Sequence, residues 1–424
     1  MPQRDTSNRG QRGRRGGRGG RGGGNLITRD PDPVEIETLA SESIPHETVP
    51  FSDHDHGTVT PHNTIAEQDT GTQQDTVDHQ GTVPTASRSI TPRGPAFRKL
   101  VLHPRGIFVN AKKTRSHTAY AYFGTEEPLD GSEVDYHSLD GLSDVDVWVS
   151  MDKPTLQSTA TEYREMKLLN LCEEEFVTFA KETFFLRTPR STTALKDRCW
   201  RVDRMLQLVS APDEDAHWNI PPLVDCNHGK GVNWSWDLRP DCSYWLSLKS
   251  FNPEYRDQIE ECTFVKGSIT CPYLTIEFKR TNVPADVAIT QALSAGALAL
   301  YNRYCLRKEA LELLNTSWGI KEISDIRHYA ITFVGSAFIV WVLEPSDGDG
   351  NVRGGNRWSG CQMRRLKGGD CTEENGVRGL VRWTNEIHRW ALSRHAPACS
   401  RDIKILLRGS GVRTSDAQPA REDK

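Results

Sequence analysis

The stretch Tyr-Leu-Thr-Ile-Glu-Phe-Lys at residues 273–279 decides the fold of this chain, because it combines a strand pattern with two charged side chains. Its β-branched and aromatic residues favour a buried strand. Turn residues before Pro284 end that strand. Side chains alternate along a strand, so Glu277 and Lys279 project from the same face. Buried charges are rare unless they are paired or bind a metal. The pair therefore indicates either a functional site or an edge strand whose polar face meets water.

An aspartate upstream forms a candidate metal site with this pair. Asp241 ends the tripeptide Arg-Pro-Asp and begins an apolar stretch, Asp-Cys-Ser-Tyr-Trp-Leu. Asp241 and Glu277 can each offer a carboxylate oxygen to Mg²⁺ or Mn²⁺, which prefer oxygen ligands. Lys279 can then orient or help to deprotonate a water that attacks a phosphodiester, while the metal polarises the phosphoryl oxygen. The alternatives are an aspartate that starts a turn and a salt bridge between Glu277 and Lys279 on the strand face.

The order of predicted elements around these residues resembles the PD-(D/E)XK nuclease superfamily, and within it the fungal PD-(D/E)XK nuclease-like proteins. The core of that superfamily runs helix, three strands, helix, strand, and the resemblance covers about residues 190–345. The resemblance implies a restriction-endonuclease-like α/β fold with a mixed central sheet flanked by helices. In chain order, we predict a helix, an extended stretch, two strands, a helix and a strand at residues 193–208, 217–224, 238–248, 274–279, 285–314 and 329–343.

The resemblance also implies roles for residues outside the strand pair. Asp197, three residues before Trp200, looks like the Glu-x-x-Trp of the fungal group with Asp in place of Glu. Gln291 falls on the predicted helix where many superfamily members carry a glutamine that faces the site. From the residues alone, Asp197 is equally a first-turn carboxylate that suits the helix dipole, and Gln291 a boundary residue. Arg280 is a candidate phosphate contact through its guanidinium fork, or a solvated arginine at a strand end.

The first 95 residues have the composition of a disordered segment. Residues 7–25 form an Arg-Gly-Gly tract without an apolar side chain, and residues 26–95 are rich in Asp, Glu, Thr, His and Pro. Seven arginines against one aspartate in residues 1–24 favour contacts with RNA or single-stranded nucleic acid. A protein-interaction tail or a neutral low-complexity tract is the alternative. The arginines that we expect to bind nucleic acid include Arg14, Arg15, Arg18 and Arg21.

The rest of the chain is expected to fold as one domain, residues 96–408, before a disordered tail at 409–424. The patterns also predict strands at residues 99–109, 118–123 and 145–150 and one or two helices at 162–185. Residues 376–395 have the apolar spacing of an amphipathic helix.

The cysteines and apolar runs indicate the cellular compartment of the protein. None of the ten cysteines forms a Cys-x-x-Cys pair, and no apolar signal segment begins the chain. We therefore expect an intracellular protein, nuclear or cytoplasmic, with reduced thiols. The most apolar run, residues 331–343, is too short to span a bilayer, so no membrane insertion is expected.

Known motifs of other catalytic centres do not occur in the sequence. It contains no Gly-x-Ser-x-Gly, no His-Glu-x-x-His and no nucleotide-binding glycine fingerprint after a strand. The expected function is Mg²⁺- or Mn²⁺-dependent hydrolysis of phosphodiester bonds in DNA or RNA. The alternatives are a catalytically inactive nucleic-acid-binding module on the same fold and a protein-interaction scaffold.

Overall fold

The computed structural model describes residues 89–110, 118–128, 133–143, 145–189, 200–212, 217–225, 233–316, 325–346 and 357–413. These residues form a mixed α/β structure with an eight-stranded mixed sheet and flanking helices. The fold class is therefore confirmed at the level of a mixed central sheet between helices. Asp197 and the N-terminal Arg-Gly tract lie outside the described residues.

The sheet contains strands of both orientations. In chain order, they are β1 (Ile107–Asn110), β2 (Val202–Met205), β3 (Cys242–Ser247), β4 (Val265–Lys266), β5 (Ile269–Lys279), β6 (His328–Val334), β7 (Ala337–Pro345) and β8 (Cys361–Asp370). They lie in the order β1-β8-β7-β6-β5-β3-β2, and β4 pairs with β5. β5 is parallel to β6 and β1 is parallel to β8, whereas the other pairs are antiparallel. β5 is an interior strand, and all of its residues except Lys279 are buried.

The helices vary from one turn to eight turns in length. The α-helices are α1 (Pro95–Phe97), α2 (Ala119–Phe123), α3 (Lys153–Leu168), α4 (Glu173–Thr183), α5 (Arg256–Glu260), α6 (Ala285–Leu313), α7 (Glu374–Trp390) and α8 (Ala396–Gly409). π-helical turns lie at Arg98–Leu102 and at Ala391–His395, where the second joins α7 to α8. Short 3₁₀ turns lie at His103–Arg105, Tyr136–Ser138, Leu248–Ser250 and Pro253–Tyr255. In the part of the chain that the structure describes, no helix has the length and apolar character needed to cross a bilayer.

The helices cover both faces of the sheet and build a core on each. α6 packs against β5, β6 and β7, while α3, α4 and α7 contribute to the core on the opposite face. Alternation along β5 turns Thr275, Glu277 and Lys279 towards α6. Phe278 points the other way and stacks on Phe333, with 4.7 Å between the ring centroids.

Close contact between α6 and the sheet depends on a small residue. Gly296 faces β7, and a Cβ at this position would lie only 2.8 Å from Leu343 Cδ2. Alanines dominate the neighbouring turns of α6, and most of them are buried. The negative charge of Asp286, in the first turn, interacts favourably with the positive end of the helix dipole. The N-terminal half of α6, which carries Gln291, is therefore held directly over β5.

The prediction of a single strand at residues 329–343 is wrong. β6 and β7 form an antiparallel hairpin across Gly335 and Ser336, with Val334 opposite Ala337. Gly335 has a φ of 57°, a left-handed conformation that glycine adopts without a Cβ clash. Only Gly335 and Ser336 separate the two apolar strands, so the apolar pattern resembled that of a single strand.

Other predictions were wrong where local contacts select another structure. β2 occupies part of the helix expected at 193–208 and pairs with β3. Residues 118–123 form α2 instead of a strand, because the Thr118 hydroxyl accepts a hydrogen bond of 3.2 Å from Ala121 N–H and caps the helix. Only the end of the strand expected at 99–109 is extended, as β1. The stretches 145–150 and 217–224 form no strand of the sheet.

The strongly periodic segments agree with their predictions. The helix expected at 285–314 is α6, and the one or two helices expected at 162–185 are α3 and α4. The helix expected at 376–395 is α7 with the π-helical turn that follows it. The strand expected at 274–279 is the C-terminal part of β5, and the strand expected at 238–248 is β3.

Candidate functional site

Asp241 lies immediately before β3, and the backbone of β5 fixes its carboxylate. Asp241 Oδ2 accepts a hydrogen bond of 2.8 Å from Phe278 N–H. β3 and β5 are antiparallel neighbours, with Cys242 opposite Ile276, so Asp241 comes beside Glu277. The structure thus brings together the two carboxylates that the sequence singles out, while their metal-binding role stays a prediction.

The Lys279 ammonium lies among three carboxylates. Its Nζ is 3.7 Å from Asp241 Oδ2 and 3.9 Å from Glu277 Oε2. Glu173 Oε1 lies 3.6 Å from the same nitrogen, which also donates a hydrogen bond to the Phe278 carbonyl oxygen. The Lys279 side chain is 13% exposed, so solvent screens these contacts only in part.

Glu277 is a buried carboxyl whose pKa is strongly shifted by its surroundings. It is 2% exposed, and burial followed by the charge of Asp241 raises its pKa well above the usual value, against the opposing effect of Lys279. Within the described ranges, Glu277 Oε2 has no hydrogen-bond partner. A buried carboxyl without a full set of partners, next to a second carboxyl, is the environment that a bound cation would relieve.

Glu173 belongs to the site, and sequence reasoning missed it. It is the first residue of α4, and its Oε2 accepts a hydrogen bond of 3.0 Å from Arg280 N–H. Three consecutive glutamates start this helix, an arrangement that the helix dipole alone explains, so nothing local distinguishes Glu173. Glu173 lies on α4, the helix that precedes β2 among the described residues, whereas Asp197 lies outside them.

A cavity of about 350 Å³ opens beside these carboxylates. Gln291 lines it from α6, as expected for a glutamine that faces the site, and its Oε1 is buried without a hydrogen-bond partner among the described residues. A second cavity, of about 310 Å³, shares Gln291 with the first and includes Glu277. The residues that line the first cavity are Arg93, Glu173, Gln207, Arg239, Asp241, Lys279, Val287 and Gln291.

The arginines near the site differ from the one expected. Arg280 is exposed and lines neither cavity, and its backbone N–H makes the contact to Glu173. Arg93 and Arg239 line both cavities instead. Arg239 also pairs with Asp237 at 3.2 Å. These two guanidinium groups are therefore better placed than Arg280 to meet a phosphate beside the carboxylates.

Asp241 and Glu277 fit a divalent cation that keeps several waters. A metal site made of protein ligands alone needs at least three grouped side chains. Within the residues that the structure describes, no three His, Cys, Asp or Glu side chains form such a group. Mg²⁺ commonly binds through one or two carboxylates and completes its shell with water and substrate phosphate. The unpartnered Glu277 Oε2 beside Asp241 suits that mode of binding.

Comparisons of the chain with models of protein families, with curated proteins and with solved structures found no match. The chemistry of the site is therefore inferred from its own geometry.

Proposed function

We propose that this protein is a metal-dependent nuclease that hydrolyses phosphodiester bonds, built on a restriction-endonuclease-like core. One observation carries the proposal: Lys279 Nζ lies 3.7 Å from Asp241 Oδ2 and 3.9 Å from Glu277 Oε2, beside a cavity into which Gln291 also faces. Two carboxylates and an ammonium at the edge of a concave site are the groups that hydrolysis of a phosphodiester requires.

The order and pairing of the elements support the core. α4 is followed by the antiparallel strands β2, β3 and β5, with α5 and the two-residue strand β4 inserted between β3 and β5, then by α6, and then by β6 parallel to β5. Apart from that insertion, this is the succession of a helix, three strands, a helix and a strand that the resemblance implies. It begins at α4 instead of residues 193–208, and it puts Asp241 beside the second of these strands and Glu277 on the third.

Each residue has a role that follows from its position. Asp241 and Glu277 would hold Mg²⁺ or Mn²⁺, which when bound polarises the phosphoryl oxygen. Lys279 orients the attacking water through its ammonium group. Glu173 positions Lys279 through the 3.6 Å contact between its carboxylate and the ammonium. Gln291 can donate its amide N–H to a phosphate oxygen in the cavity.

The proposed substrate is nucleic acid, and the proposed location of the protein is the nucleus or the cytoplasm. Arg93 and Arg239 would contact phosphates flanking the scissile bond, since both line the two cavities beside the carboxylates. The arginines of residues 1–24 would add affinity that does not depend on sequence.

A catalytically inactive module of the same fold is the second candidate. The specific observation in its favour is that Lys279 already contacts Glu173, Asp241 and Glu277 at 3.6–3.9 Å. A cluster of ion pairs on neighbouring elements can stabilise a fold without any reaction.

A cleavage assay distinguishes the two candidates. Full-length protein is incubated with end-labelled single- and double-stranded DNA and RNA in Mg²⁺, Mn²⁺ or Ca²⁺. A nuclease cleaves in Mg²⁺ or Mn²⁺ and cleaves little in Ca²⁺. Binding of these substrates without cleavage under any of the conditions would favour the inactive module.

A further inference from the structure

A separate cavity, of about 610 Å³, lies far along α6 from the candidate nuclease site. Gln291 faces the nuclease site, whereas Arg303, twelve residues further along α6, lines this cavity. That separation corresponds to about 18 Å along the helix axis. The cavity is bounded by α6, the residues before β6, the turn Ala391–His395 and α8. Its arginines are Arg303, Arg307, Arg327, Arg394 and Arg401.

The cavity carries excess positive charge. Asp325 is its acidic lining residue. Asp402, fully buried behind the lining, pairs with Arg303 and Arg307, each at 2.7 Å, and lies 3.8 Å from Arg401. Glu344 lies 3.2 Å from the lining residue Arg327. Five arginines against these three carboxylates leave a surplus of two positive charges that an anion would balance.

One buried arginine of the cavity wall has an unpaired guanidinium donor among the described residues. Arg303 is 8% exposed, and its Nη2 is held by Asp402. Its Nη1 is buried and has no hydrogen-bond partner in the part of the chain that the structure describes. Buried donors are seldom left unpaired in native structures, and a guanidinium presents its donors in a fork that matches phosphate oxygens.

We propose that this cavity binds a small phosphorylated molecule with at least two negative charges, such as a nucleotide or an inorganic polyphosphate. Its volume lies in the usual range for small-molecule sites. Trp390 and Pro397 give it an apolar wall against which an organic group can rest. The concave shape and the buried Arg303 favour a compact ligand over a nucleic-acid backbone, which follows exposed grooves.

Isothermal titration calorimetry with inorganic pyrophosphate tests the proposal on the full-length protein. EDTA removes metal ions, and sodium chloride keeps the ionic strength constant throughout. We expect saturable binding of one pyrophosphate per chain. Arg394→Gln and Arg401→Gln each remove an exposed charge from the cavity wall and should each weaken binding about tenfold, as the loss of one charged hydrogen bond does. Arg408→Gln, an exposed arginine two turns further along α8, is the matched control and should leave the affinity unchanged.

Three outcomes would overturn the proposal. The first is the absence of saturable pyrophosphate binding, and the second is an affinity that Arg394→Gln and Arg401→Gln leave unchanged. The third is loss of binding in Lys279→Gln, which would place the anion in the nuclease site. Binding of a DNA oligonucleotide but not of pyrophosphate, with the same dependence on Arg394 and Arg401, would assign the cavity to nucleic acid instead.

Discussion

Asp241 Oδ2 accepts a hydrogen bond of 2.8 Å from the backbone N–H of Phe278, the residue between Glu277 and Lys279. The backbone of β5 therefore fixes the carboxylate of Asp241 relative to the two charged side chains that flank Phe278. The same oxygen lies 3.7 Å from the Lys279 ammonium. The Asp241 side chain thus has a structural contact and an electrostatic contact, and substitutions can separate them.

Asp241→Asn and Asp241→Ala should differ in stability. Both remove the negative charge beside Glu277, but asparagine keeps an oxygen that can accept the Phe278 N–H, whereas alanine leaves this buried donor unpaired. We expect the alanine variant to be less stable than the asparagine variant by about 1 kcal/mol. Urea unfolding at neutral pH in EDTA measures the difference. Equal stability of the two variants would show that the hydrogen bond does not contribute.

Glu277→Gln should stabilise the metal-free protein at pH 7. The pKa of Glu277 is raised above its usual 4.5 in the folded state, so the folded state binds this proton more tightly than the unfolded state. The wild type therefore loses stability as pH rises above about 4.5, and glutamine removes that loss. We expect a gain of about 1 kcal/mol, or roughly 2 °C in Tm.

Thermal unfolding of both proteins between pH 4 and pH 8 measures this effect. The stability difference should disappear at the acid end of the range, where Glu277 is protonated in both states. Glu182→Gln, at an exposed position of α4, is the control and should leave Tm unchanged. A Glu277→Gln protein that is less stable than the wild type at pH 7 would contradict the description of the site.

Tyr136→Phe should destabilise the protein through Glu386. The Tyr136 hydroxyl donates a hydrogen bond of 2.8 Å to Oε1 of Glu386, which is fully buried. Loss of a donor to a buried carboxylate is expected to cost about 2 kcal/mol in urea unfolding. Tyr163→Phe is the matched control, because the buried Tyr163 hydroxyl has no hydrogen-bond partner among the described residues. A cost for Tyr163→Phe as large as that for Tyr136→Phe would contradict this assignment.

Deletion of residues 1–24 should weaken nucleic-acid binding without changing thermal stability. The segment has seven arginines, which release counterions on binding phosphates, and its Arg-Gly-Gly tract has no apolar side chain to bury. Fluorescence anisotropy over a salt series should show a lower affinity and a shallower salt dependence for the truncated protein. Replacing the seven arginines by glutamine in the full chain is the control and should have the same effect. Equal affinity of truncated and full-length protein at low salt would exclude the tract from binding.

Segments with a strong apolar pattern could be predicted from the sequence, whereas polar strands and turns could not. α6 repeats apolar residues at spacings of three and four, and β5 is rich in β-branched and aromatic residues, so both appear close to their expected positions. β8 was missed because its middle is basic. One of these residues, Arg364, is held in place by Glu344, at 2.7 Å, from the neighbouring strand β7. That contact exists only in the folded sheet.

The site was predictable where its residues lie on adjacent strands. Asp241 lies immediately before β3, and Glu277 and Lys279 share one face of β5. Alternation along β5, together with the strand order that the resemblance implied, therefore sufficed to predict that these residues lie together. Glu173 hydrogen-bonds to a residue 107 positions away, and its place follows from the packing of α4 against β5. No local pattern encodes that contact.

In the proposed nuclease, Asp241 and Glu277 hold a metal while Lys279 acts on the water. The most direct test of these roles is single-turnover cleavage of labelled nucleic acid by the wild type, Lys279→Ala and Asp241→Asn, with Mn²⁺ binding followed on the same samples. Lys279→Ala should keep Mn²⁺ and lose at least about a hundredfold in rate, whereas Asp241→Asn should lose both metal and cleavage. A wild type that binds no Mn²⁺, or a Lys279→Ala variant that cleaves as fast as the wild type, would contradict the account.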